Sequence, residues 1–277
     1  MRVADEMPLP MASTGAARRG IRAGLRVLVT GAAGGIGEAI AAAFEAEGAR
    51  VHVCDVNEAA LFSNSRLHPS TGRTLADVGQ AADVDRLFTD LMKTLGGLDA
   101  LINNAAITGP VGPIETNDPH EWLRTINVNL VGQFHCIRRA MPLLRDAGGG
   151  SIVNLSSIAG RLGFPNRTAY AASKWGIIGM TQSVAMEAGV DNIRCNAMLP
   201  GVVASERQLK LQTERARTLG LTDEEMSERY VANISLRRKV DVQEIADMAI
   251  YLCSEAGRSI NGMSLGVCGG VETMRRG

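Results

Sequence analysis

The chain has 277 residues, 45% of them hydrophobic, and 29 Lys+Arg balance 29 Asp+Glu. That length can bury a sizeable core in one large α/β domain or two small ones, and the charge balance gives no pull toward nucleic acid or an anionic membrane. The cysteines (Cys54, Cys136, Cys195, Cys253 and Cys268) form no C-x-x-C, and the histidines no H-x-x-x-H. A disulfide framework and a metal site are therefore not expected, and a reducing cytoplasm is the expected compartment. No apolar run reaches the ~18 residues of a membrane-spanning helix.

Residues 1–24 mix prolines, glycines and charges without periodicity. Arg18-Arg19 and Arg22 hint at a targeting signal, but no apolar segment follows them, so a loose N-terminal tail is expected. Residues 25–277 then read as a single domain, since no linker or repeat interrupts them. Arg26-Val-Leu-Val-Thr30 is a β-branched apolar run, as in a strand buried on both faces. It runs into Gly31-Ala-Ala-Gly-Gly35-Ile36-Gly37 and then an alanine-rich helix pattern. Strand, glycine-rich turn and helix form an entry for a phosphate group, because glycines allow close approach and a helix N-terminus offers free N–H groups.

A second strand, Val51–Cys54, ends at Asp55. An acid here accepts hydrogen bonds from a ribose and repels a 2′-phosphate; the alternative is a cap on a short helix through Asn57. A third strand near residues 72–76 ends at Asp77-Val78, where Asp77 either meets an adenine or caps the next helix. That helix has a one-sided stripe of Val84, Leu87, Phe88 and Leu91, which is core packing. A fourth strand, residues 97–102, breaks at Asn103-Asn104, amides that either tie strands together or face a cofactor. One long helix is predicted from about Asp118 to Leu144, with Asn127 and Asn129 inside it needing partners. A fifth strand, Ser151–Leu155, stops at Ser156-Ser157, where an open parallel sheet places its ligand crevice. A helix over Thr168–Ala188 carries Tyr170 and Lys174 on one face, four residues apart. A sixth strand runs to Met198 and leads into Pro200-Gly201. Residues 204–235 are polar and helical, the pattern of a lid, with a solvated packing pair as the alternative. A helix from Val242 and a strand near residues 263–267 close the chain. Strand–helix alternation of this kind predicts a doubly wound, Rossmann-like parallel sheet of about seven strands flanked by helices.

Five elements occur in order: Thr30-Gly31-x-x-x-Gly35-x-Gly37, Asn103-Asn104-Ala105, Ser157, Tyr170-x-x-x-Lys174 and Pro200-Gly201. Together they resemble the short-chain dehydrogenase/reductase family over about residues 24–271. The resemblance implies an NAD-dependent oxidoreductase that interconverts a secondary alcohol and a ketone. Its catalytic tetrad would be Asn129, Ser157, Tyr170 and Lys174: Tyr170 the general acid/base, Ser157 the donor to the substrate oxygen, Lys174 a ribose ligand that depresses the phenol pKa, and Asn129 the holder of a relay water. The resemblance implies cofactor contacts at Gly31, Gly35, Ile36, Gly37, Asp55, Asp77, Val78, Asn104, Tyr170, Lys174, Pro200, Gly201, Val203 and Ser205. It implies substrate contacts at Ser157, Phe164, Tyr170 and Val202, and a homotetramer or dimer. Asp55, with no basic residue in the glycine turn, matches the NAD-preferring pattern rather than NADP. Ala106, Ser205 and Cys268 depart from the glycine, threonine and aspartate usual at those places. Two alternatives stay open: a 3-oxoacyl thioester reductase using NADPH, entered past Arg207, Lys210, Arg215 and Arg217, and a catalytically dead NAD-binding regulator.

Overall fold

In the computed structural model, residues 20–271 are described. Most of the expected tail, residues 1–19, lies outside them. Within its last five residues, Ile21 packs on the core and Arg22 pairs with Asp99 at 2.6 Å.

Seven parallel strands form one sheet in the order β3-β2-β1-β4-β5-β6-β7: β1 Arg26–Thr30, β2 Arg50–Asp55, β3 Gly72–Leu75, β4 Ala100–Asn103, β5 Gly150–Leu155, β6 Ile193–Pro200 and β7 Ser264–Val267. Alternation along each strand feeds two cores. Val27, Val29, Val53 and Ile102 face α1 (Gly35–Ala46) and α9 (Val242–Cys253), packing with Ile40, Phe44, Ile245 and Leu252. Leu28, Leu101 and Ile152 face the other way, onto α3 (Ala81–Leu95), α5 (Gly132–Asp146) and α6 (Thr168–Ala188). The strand order reverses between β1 and β4, which places a ligand crevice at the carboxyl ends of these strands.

The predicted long helix is divided. α4 spans Pro119–Ile126 and α5 Gly132–Asp146, joined by a π-helical turn at Asn127–Val131. Two inward asparagines explain it: Asn127 Nδ2 donates to Gly79 O at 3.0 Å and Asn129 reaches Ile107, partners that lie outside the helix. α2 (Glu58–Ser63) is capped by Asn57, which accepts from Ala60 N. The polar stretch forms α7 (Glu206–Leu219) and α8 (Asp223–Val231), and a bridge between Val203 and Val240 closes its base. No helix among the described residues is long and apolar enough to cross a membrane.

Candidate active site

The glycine turn is built by exclusion. A Cβ on Gly31 would lie 2.7 Å from Ala105 Cα; one on Gly37 would collide with the Gly31 carbonyl oxygen and lie 2.5 Å from Asn104 Nδ2. Gly34 and Gly35 face open space, and Gly35 has φ +62°. No side chain caps the α1 N-terminus, so its first N–H groups point into that space. Room, free donors and the positive end of a helix suit a pyrophosphate. Ile36 is half-buried beside the core. Asp55 lies at this turn, its Oδ2 accepting from Ala33 N at 3.0 Å and its Oδ1 from Asn57 N at 3.0 Å. The cap of α2 is therefore Asn57, with Asp55 supporting it and also facing the glycine turn.

The amides after β4 serve the scaffold. Asn103 Nδ2 donates to Asn154 Oδ1 at 2.9 Å, tying β4 to β5. Asn104 Nδ2 donates to the carbonyls of Thr30 and Gly31 at 3.0 and 2.8 Å, tying β4 to the glycine turn. Asp77 does not cap α3. Its Oδ1 accepts from Gly79 N at 2.9 Å, and the N-cap is Gln80. Val78 is buried, and a Cβ on Gly132 at the start of α5 would press on it.

Asn129 is fully buried and satisfied by other groups than lysine. Its Nδ2 donates to Ile107 O and Ser173 Oγ, at 3.0 and 3.1 Å, and its Oδ1 accepts from Ile107 N at 2.8 Å. The side chain thus pins the loop after β4 to α6. The two serines after β5 separate cleanly. Ser156 is buried, and its Oγ donates to Lys174 O at 2.8 Å. Ser157 is half-buried and its Oγ accepts from Ala159 N at 3.2 Å, which leaves the hydroxyl hydrogen to donate.

Tyr170 and Lys174 lie in the first two turns of α6. Lys174 is 2% exposed and donates from Nζ to Leu155 O at 2.8 Å. Burial pulls its pKa down to about 7. Its Nζ is 5.5 Å from the centroid of the Tyr170 ring. Phe164 meets Tyr170 edge-on at 6.3 Å. Sequence spacing did not single out Leu155, whose backbone carbonyl holds the lysine, or Ser173, which receives Asn129. The guanidinium carbon of Arg167 is 5.4 Å from the Tyr170 ring centroid.

At the end of β6, Pro200 is buried and a Cβ on Gly201 would lie 2.8 Å from Cys268 Cα. Cys268, where the resemblance expects an aspartate, is thus a small buried packing residue. Val202 O accepts from Val240 N at 2.9 Å, Val203 is buried, and Ser205 N donates to Val203 O at 3.0 Å. Among the described residues, no group of three or more His, Cys, Asp or Glu could hold a metal ion.

Residues 31–272 match the family described as enoyl-(acyl carrier protein) reductase. A trans-4-hydroxycyclohexanecarboxylate dehydrogenase from Sinomonas cyclohexanicum is 36% identical, covering 88% of this chain and 91% of its own length. A mouse (Mus musculus) (3R)-3-hydroxyacyl-CoA dehydrogenase is 35% identical over 88% of this chain and 95% of its own. The crystal structure of levodione reductase superposes with a TM-score of 0.85 at 28% identity, covering 91% of this chain and 99% of that one. Other solved relatives at 26–28% identity hold NADPH, NAD+ or NADH. With its seven-stranded sheet and these relatives, the chain belongs to the short-chain dehydrogenase/reductase family of oxidoreductases.

Proposed function

We propose that the protein interconverts a secondary alcohol and a ketone, with NAD as the hydride carrier and Tyr170 as the proton carrier. The observation that carries this reading is the buried Lys174 ammonium set 5.5 Å from the Tyr170 ring at the crevice. A positive charge there favours the phenolate, which makes the phenol a usable acid/base near neutral pH. Bound at the glycine turn, a nicotinamide dinucleotide supplies or takes the hydride. Ser157 donates to the substrate oxygen, and Tyr170 gives that oxygen a proton during reduction or removes it during oxidation. Asn129 holds the loop after β4 against α6, keeping the wall of the site in register. Asp55 receives the adenosine ribose and repels a 2′-phosphate, so NAD is preferred over NADP. The α7–α8 excursion covers the crevice as a lid, with Phe164 and Val202 in the substrate wall.

Tyr170→Phe should cut kcat by about 100-fold or more while NADH affinity changes little; turnover near that of the wild type excludes the mechanism. Comparing kcat/KM for NADH and NADPH tests Asp55, and a clear NADPH preference overturns its role. Coenzyme A thioesters are the second substrate class, favoured by the mouse relative. A screen of hydroxy acids, polyols, cyclic alcohols and 3-hydroxyacyl thioesters by NADH absorbance separates the two.

A further inference from the structure

Two strands end near Lys174, and one buried side chain joins them. β4 closes at Asn103 and β5 at Leu155, so the ladder between them stops there. Gln133, the second residue of α5, reaches both ends: its Nε2 donates to Leu155 O at 3.3 Å and to Asn103 O at 3.4 Å. The Leu155 carbonyl also accepts from Lys174 Nζ at 2.8 Å. A carbonyl oxygen has two lone pairs, so α5 and α6 each deliver one donor to the same atom. Gln133 is 2% exposed, and its Oε1 has no hydrogen-bond partner. Both groups facing Nε2 only accept, so the amide cannot turn over to satisfy that oxygen. A buried, unpaired acceptor costs free energy that an apolar side chain of the same length would not incur. Packing alone therefore does not explain a glutamine here; the carbonyl it holds does. The helix bearing Lys174 is secured elsewhere: Thr181 Oγ1 of α6 accepts from Asn154 Nδ2 at 3.0 Å, and Asn154 Oδ1 accepts from Asn103 Nδ2 at 2.9 Å. Without Gln133, α6 stays on the sheet while the strand-end peptide of Leu155 gains freedom to tilt.

We propose that Gln133 is a positioning residue: it fixes the Leu155 carbonyl on which the Lys174 ammonium rests, and thereby holds that ammonium beside the Tyr170 phenol. This rests on the assignment of Tyr170 as the proton carrier. The ammonium lies 5.5 Å from the Tyr170 ring centroid, and a charge that wanders from a phenol favours its phenolate less. The groups that reach Lys174 or its carbonyl from β4, β5 and α5 are Asn103, Leu155 and Gln133, all uncharged. Two cations face the phenol, Lys174 and Arg167, whose guanidinium carbon is 5.4 Å from the ring centroid. Gln133 is bonded to the support of the first.

Three measurements on the full-length protein test this. Gln133→Met keeps the length of the side chain and removes its donors. It should leave the melting temperature within about 3 °C of wild type, because the unpaired oxygen goes with the donors. It should form less Tyr170 phenolate than wild type at about pH 8, read by ultraviolet difference against Tyr170→Phe, since lysine and phenol titrate as a pair. With NAD and cyclohexanol it should lower kcat by about 10- to 100-fold at unchanged KM. Gln133→Glu, protonated when buried and so still a donor, should regain part of the phenolate and of kcat. An unmoved phenolate titration overturns the inference whatever the melting temperature does, because Gln133 would then only brace the strand ends. An unchanged kcat beside an inactive Tyr170→Phe overturns it too. If the phenolate is suppressed but Tyr170→Phe turns over cyclohexanol like wild type, the positioning stands and the Tyr170 assignment falls. Should methionine fail to fold, Gln133→Asn, too short to span both carbonyls, is read in the same way. In a wild type that does not oxidise cyclohexanol, the phenolate titration alone decides.

Discussion

With its pKa brought down to about 7, Lys174 is a mixture of ammonium and amine near neutral pH. Unfolded, the same amine titrates near its ordinary value of 10.5. Below pH 7 both states hold the proton, and the folded one bears the full cost of a buried charge. Between pH 7 and 10.5 the unfolded chain binds more protons, so this contribution to stability rises with pH. Lys174→Met should therefore be inactive yet more stable than wild type at pH 6, by as much as about 4 kcal/mol. Denaturant melts at pH 6 and 9 check this: a gap that fails to narrow at the higher pH contradicts the burial argument. His52 shows the opposite side of neutrality. It is held between Thr94 Oγ1 (2.8 Å) and Thr74 Oγ1 (2.9 Å), and burial lowers its pKa to about 4 against a small upward pull from Asp90. Its contribution is fully present above 6.5 and is lost as pH falls toward 4, by about 3 kcal/mol. The acid limb of stability should accordingly be shallower in His52→Gln than in wild type, as read by urea unfolding at stepped pH. At this scale the resemblance pointed to Ser157 rather than Ser156, and spacing alone placed Tyr170 and Lys174 on one helix face. It could not reveal the Leu155 carbonyl, because a backbone acceptor has no signature in residue type.

Elements explain which small residues are irreplaceable. Gly37→Ala drives a methyl into the Gly31 carbonyl and the Asn104 amide, so it should lower the melting temperature and weaken NADH binding by more than about tenfold. Gly35→Ala meets no atom within 4 Å and should cost only the strain of a left-handed backbone, about 1 kcal/mol. Parallel dye-free melts and NADH titrations of the two variants distinguish collision from strain. Strand and helix positions follow from apolar runs and stripes. The split of the long helix does not, since apolar periodicity continues across residues 118–144 and the break comes from two asparagine side chains seeking distant partners. The role of Asp77 was equally hidden: it bends the chain ahead of α3 rather than capping it.

For the whole molecule, a parallel sheet covered on both faces made the architecture readable, because each buried strand is a short apolar run ended by the residues of the crevice. Association is less readable, since helix faces turned to solvent and to a second copy look alike in sequence. Phe134 on α5 and Trp175 on α6 are about half exposed. We propose that a second copy of the chain covers these two side chains; light scattering should then find a dimer or tetramer, and Trp175→Glu should shift it toward monomer. The π-helical turn has a consequence of another kind. Through Asn127 it holds Gly79 beside α3, and through Asn129 it holds Ile107 and Ser173. Removing one residue from 127–131 would heal the backbone into ordinary α-helix with the flanking turns still in phase, yet withdraw the widened turn that carries the two asparagines to their distant partners. Residue identity at most of these positions is negotiable, but their number is not: a deletion scan should find this turn intolerant even where substitution scans pass, so that chain length itself carries information about the site.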